Sequence, residues 1–203
     1  MQIIDYKIKK GLVELILDDG TKSPGILKSL FFDSGYTRGS EIDADALYDL
    51  CYRSDLKRAK SRALYYVSRQ AMSSGALFER LCRSFMPKAA QAAVDFLKEN
   101  GFIDDVLYAE RLAEKYKSEG RSKRETAVKM AAKGLDRALV DDALREMEFD
   151  ETEAVVTLLR GKYSLKLSQP NGEQKVFAAL MRRGFSASDI KRAVKIINGE
   201  ENV

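Results

Sequence analysis

An internal repeat of about fifty residues limits what this chain can fold into more than any other feature. In GRSKRETAVKMAAKGLDRALVDDALREM, residues 120–147, a helix-start signal, a basic helix, a glycine break and an acidic amphipathic helix follow one another. A step of fifty residues in either direction meets the break again, with Phe85, Leu135 and Phe185 in register. Five places on stand Ala90, Val140 and Ile190; eight on, Ala93, Ala143 and Ala193; nine on, Val94, Leu144 and Val194; twelve on, Leu97, Met147 and Ile197. All are apolar, and those offsets share one helix face, so each copy is predicted to bury one stripe. The helix before the break sets Leu77, Phe78 and Leu81 against Ala127, Val128 and Ala131, then Phe177, Ala178 and Met181, which predicts a second apolar face.

The rest of the chain fits around these copies. IIDYKIK and LVELIL alternate or run apolar, with Gly11 between them and Asp19-Gly20 after, and read as strands of a small antiparallel sheet. GILKSLFF is ambiguous by periodicity and is read as strand followed by helical turn. From Asp43 the pattern is helical. Three helical triplets follow, the first as helices 59–70, 75–84 and 88–99, stopped by Asn100-Gly101. Ser122 and Glu125 form a capping box opening a helix, Asp150 and Glu153 repeat its logic, and Ser186 with Asp189 opens the last helix. The expected division is a β-rich leader with linking helix over 1–58 and helical repeats over 59–103, 104–149 and 150–203. The fold class is mainly α: three tandem three-helix bundles in an elongated curved array, behind a small antiparallel β-rich segment.

Several function classes are disfavoured. Histidine is absent, which removes Ser-His and Cys-His nucleophile pairs and histidine metal ligands, and no glycine-rich phosphate loop is present. Asp104 reads as a helix cap and Asp141 and Asp142 as the polar side of a stripe, so no catalytic residue, cofactor, metal or small-molecule substrate is expected. Cys51 and Cys82 lack metal-site spacing and read as reduced core thiols. No apolar run approaches the ~20 residues that cross a bilayer, and MQIIDYKIKKG lacks a signal-peptide core, so a cytoplasmic protein without membrane contact is expected.

Charge is distributed in blocks. Arg111, Lys115, Lys117, Arg121, Lys123, Arg124, Lys129 and Lys133 face three acids, a local +5. From Gly134 to Leu159 the balance is −6, and from Arg160 onward, with Lys175, Arg182 and Arg183, it is again +5. Two readings stand from charge alone: cationic helices aimed at phosphates or an acidic protein face, or a solvated surface with neighbouring intramolecular pairs. Tyr65, Tyr66, Tyr108 and Tyr116 present the same choice between base stacking and core packing, and their helical spacing favours the core.

The stretch KAKSRALYYVSR, then FLKENGFIDDVLYAERLAEKYKSEGRSKRETAVKMAAKGLDRALVDDAL, then FAALMRRGFSASDIKRAV resembles the RecX family, regulators of the bacterial recombinase RecA. The leader, with DG followed by GYTRGSEID, is similar to that family's N-terminal segment, so the resemblance covers nearly the whole chain. Ser84 departs from Gly134 and Gly184, and Pro87 opens a helix where proline is tolerated. The resemblance implies a non-enzymatic protein of tandem three-helix units that binds the RecA nucleoprotein filament and limits its growth, with contact to single- or double-stranded DNA as a secondary expectation. The cations above would then carry binding. The alternative is a sequence-independent nucleic-acid-binding module acting without RecA.

Overall fold

The first two strands pair as the alternation predicts. β1 (Ile3–Lys9) lies antiparallel to β2 (Leu12–Leu17), and Lys10 and Gly11 turn between them with φ of 52° and 78°, the paired left-handed geometry that matches strand twist. β3 (Ile26–Leu27) pairs with β2 and runs straight into α1 (Lys28–Asp33). Val13, Leu15 and Leu17 point from the sheet into a cluster with Ile3, Phe31, Ile42, Leu50 and Cys51. The computed structural model describes residues 1–199, in two compact units, Met1–Ile103 and the described residues from Asp104 onward.

Sheet and first triplet share one helix. α2 (Ala44–Arg69) starts at Asp43, whose carboxylate accepts the Ala46 N–H at 2.7 Å, and continues unbroken for 26 residues. The expected helix 59–70 is therefore the last part of a longer one. Leu50 and Cys51 enter the sheet cluster, while Ala59 and Ala63 enter a second with Leu77, Leu81, Ala93, Val94 and Leu97. Between the two clusters α2 carries buried polar groups, each with a task. Ser54 Oγ accepts the Leu27 N–H at 2.8 Å, and Asp55 accepts the Met86 N–H at 2.9 Å and pairs with Arg58 at 3.2 Å. α3 (Ser74–Cys82) and α4 (Pro87–Glu99) complete the triplet, and Ile103 packs into the same cluster.

In the second unit, α5 (Asp105–Ser118), α6 (Lys123–Ala131) and α7 (Arg137–Arg145) enclose Ala109, Ala113, Met130, Val140 and Leu144. α8 (Glu151–Arg160), the one-turn α9 (Ser164–Leu167), α10 (Gly172–Arg182) and α11 (Ala187–Ile197) enclose Val155, Leu159, Tyr163, Leu180, Phe185 and Ile190. The molecule is thus mainly helical, a helical repeat fold with a small three-stranded antiparallel sheet formed by its first three strands.

All twelve positions of the stripe after the break are buried or half-buried. The stripe before the break needs correction. Leu77 and Leu81 are buried, but in the other two copies the buried positions come one residue earlier, Thr126 with Met130 and Val176 with Leu180, leaving Val128 64% and Met181 43% exposed. The turn geometry supplies the reason. Gly184 takes φ of 91°, and the Phe185 N–H then reaches back five residues to the Leu180 carbonyl, closing a Schellman turn. Ser84 stays outside the left-handed region, and the Phe85 N–H reaches back only four, to Leu81. The glycine turn uses one more residue, which rotates the buried face.

Candidate partner-binding site

The start of α6 meets the end of α10. Ser122 caps α6 by accepting the Glu125 N–H at 3.0 Å, as its position predicts, and the same hydroxyl donates to the Arg183 carbonyl at 2.6 Å. Glu125 does not reach back to close the box. One of its oxygens takes Arg121 and the other takes Arg183 Nε at 3.1 Å. Lys123, the first residue of α6, donates its N–H to Glu151 of α8 at 2.8 Å, so a carboxylate already occupies this helix N-terminus.

Two of the predicted cations are therefore held by the protein itself. Arg121 bonds Glu119 at 2.8 Å as well as Glu125, and lies over the Tyr116 ring. Burial opposes its charge, but the two carboxylates outweigh that and hold the guanidinium pKa above its usual value. Arg183 also reaches the Gly120 carbonyl at 3.4 Å. Gly184 completes the junction: a Cβ there would stand 2.8 Å from Ser122 Oγ and 2.9 Å from Arg124 Cβ, so only glycine allows this approach.

Beside the junction runs a groove of about 470 Å³, bounded by Arg124, Val128 and Lys129 of α6 and by Met181 and Arg182 of α10. Arg124, Lys129 and Arg182 have no ion-pair partner among the described residues. Three free cations here flank two exposed apolar side chains. The remaining expected residues lie apart from it. Arg111, Lys115 and Lys117 are exposed on α5, Lys115 near Glu119 at 4.0 Å, and Lys133 follows α6. Lys175 borders a smaller recess with Arg182 and Lys166, a cation the charge count included without singling out. Glu125 was visible only as a capping residue; its role needs Arg183, 58 residues away.

Of the tyrosines, Tyr116 is buried and Tyr66 and Tyr108 are half-buried, but Tyr65 is 49% exposed beside the Arg69 guanidinium. Asp104 caps α5 through the Leu107 N–H at 2.9 Å, and Asp141 and Asp142 pair with Arg137 and Arg145. Both cysteines are free thiols. Among the described residues no helix is long and apolar enough to cross a membrane and no acidic or cysteine cluster suits a metal ion.

Comparison with known proteins follows from this architecture. Residues 150–194 match the family model described as the third three-helix domain of RecX. The regulatory protein RecX of Streptococcus gordonii is 26% identical over 205 residues, spanning 100% of this chain and 79% of that protein. That of Clostridioides difficile is 25% identical, spanning 87% of this chain and 85% of its own. These matches support RecX as the family of this chain. Two solved RecX structures have the same fold: one with a TM-score of 0.65 at 21% identity, covering 96% of this chain and 100% of that one, and one from Lactobacillus salivarius with a TM-score of 0.58 at 23% identity, covering 71% and 97%. The name these relatives share supports a regulatory role, and the matched residues 150–194 include Arg182 and Arg183 of the junction.

Proposed function

We propose that this chain binds the RecA recombinase and its nucleoprotein filament and inhibits filament extension, ATP hydrolysis and strand exchange, without chemistry of its own, in the cytoplasm. The observation that carries the reading is the groove beside the α6–α10 junction, where Arg124, Lys129 and Arg182 stand unpaired around Val128 and Met181. Apolar contact flanked by cations suits an acidic protein surface. Lys123, Lys175, Arg111, Lys115, Lys117 and Lys133 extend the positive field around it, and Arg121 and Arg183 position it through Glu125. Division into a leader over 1–58 and repeats over 59–103, 104–149 and 150–203 is part of the proposal, supported by four separate apolar clusters. A repeat array lets contacts to neighbouring filament subunits add as effective concentration.

The test is DNA-dependent ATP hydrolysis by the cognate recombinase, titrated with wild-type chain and with R124E/K129E/R182E. The wild type should inhibit and the triple variant, folded by circular dichroism, should need at least ~10-fold more protein for the same effect. Equal inhibition by both would remove the groove from the mechanism. The same free cations favour a second reading, binding to DNA phosphates without RecA. It requires affinity for bare DNA that falls steeply with salt and no change in RecA's ATPase.

A further inference from the structure

A second surface lies in the last helical unit. α8, α9, α10 and α11 border an open apolar groove of about 570 Å³, lined by Leu159, Leu167, Phe177, Val194 and Ile197. The first triplet seals its core after its last helix: Asn100 ends α4, Gly101 turns the chain with φ of 70°, and Ile103, two residues past the glycine, is 6% exposed in the cluster. Phe149 packs against the middle cluster after α7. The last unit repeats the first step. Asn198 ends α11 and Gly199 takes φ of 75°.

We propose that this groove docks an amphipathic segment of a partner protein, with its apolar side in the groove and acidic residues along one edge. Charge decides the class of occupant. Lys191 and Lys195 stand one turn apart on α11, line the groove, are exposed, and have no ion-pair partner among the described residues. Glu173 is the acid on the lining, contributed by α10. The lysines favour acids along the α11 edge, and Glu173 disfavours them along the α10 edge, so the groove selects both sign and orientation. This proposal is independent of RecA as partner.

The experiment uses the full chain, ¹⁵N-labelled, and two synthetic helical peptides of 14 residues with leucine at i, i+3, i+4 and i+7. One carries glutamate at its polar positions and the other lysine. The glutamate peptide should shift the amides of Phe177, Val194 and Ile197 and bind at least ~10-fold more tightly than the lysine peptide. K191E/K195E should reverse that preference, and K191Q/K195Q should abolish it. Absence of shifts at millimolar glutamate peptide, shifts confined to other surfaces, equal affinity for both peptides, or a preference unchanged by charge reversal would each overturn the proposal. RecA ATPase inhibition by K191Q/K195Q, measured separately, leaves the two readings distinguishable.

Discussion

Replacing Glu125 by glutamine tests the junction directly. The carboxylate is 17% exposed on its side chain, and its partners Arg121 and Arg183 are 24% and 19% exposed. Two opposite charges at about 4 Å attract by roughly 4 kcal/mol at the effective dielectric of a protein surface, and desolvation offsets much of that. Exposed pairs measure about 0–1 kcal/mol and loss of one partner of a buried pair about 3–5 kcal/mol. With four-fifths of the side chain covered and one amide oxygen retained, E125Q should destabilise the second unit by about 2–3 kcal/mol. A double-mutant cycle with R183Q isolates the shared term, expected at about 1–2 kcal/mol, since Arg121 keeps Glu119. Urea denaturation of the full chain gives the four stabilities, and hydrogen exchange at the Met130 and Leu180 amides assigns the transition to this unit. A coupling below about 0.3 kcal/mol would refute the claim that Glu125 ties α6 to the α10 terminus.

Two further outcomes follow from single residues. G184A should cost more than G101A, although both glycines have positive φ: each carries about 1–2 kcal/mol of left-handed strain, but a Cβ at 101 meets nothing within 4 Å, whereas one at 184 meets Ser122 and Arg124. Equal melting shifts would deny the close approach. Burial, aided by the Asp55 carboxylate, pushes the Cys51 thiol up to about 11. Because the folded value exceeds that of an unfolded thiol, about 8.5, its stabilising contribution is complete below that pH and is lost as pH rises toward 11. Iodoacetamide at pH 8 should therefore spare Cys51 until the chain unfolds, and rapid labelling in the native protein would contradict its placement.

What could be read from the sequence follows the range of the forces involved. Strand alternation, the caps at Asp104, Ser122 and Ser186, and the helix after each break are local, and each appears where its residues indicate. The failures arise where apolarity and burial part company. Thr126 is polar and fully buried while Val128 is apolar and exposed, so periodicity alone chose the wrong face of α6. The end of the linking segment was also illegible, because Ser54 and Asp55 look like a polar break but are satisfied by Leu27 and Met86 from distant elements. For the site, the cations were visible as a block. Which of them are free depends on Glu125 and Gly184, residues whose partners lie about sixty positions away.

The unbroken α2 also imposes an order on synthesis. The hairpin leaves the ribosome before α2, and the cover that Phe31 and Ile42 begin over its apolar face is not complete until Leu50 and Cys51 emerge. Asp55 then waits for the Met86 N–H, and the second cluster for Leu97 and Ile103. Through this interval the nascent chain presents the edge of a small sheet and one long helix with an apolar stripe, a form suited to chaperone capture. Translational pauses that hold Met86 inside the ribosome would prolong that exposure, while pauses after Ile103 has emerged would find a closed unit.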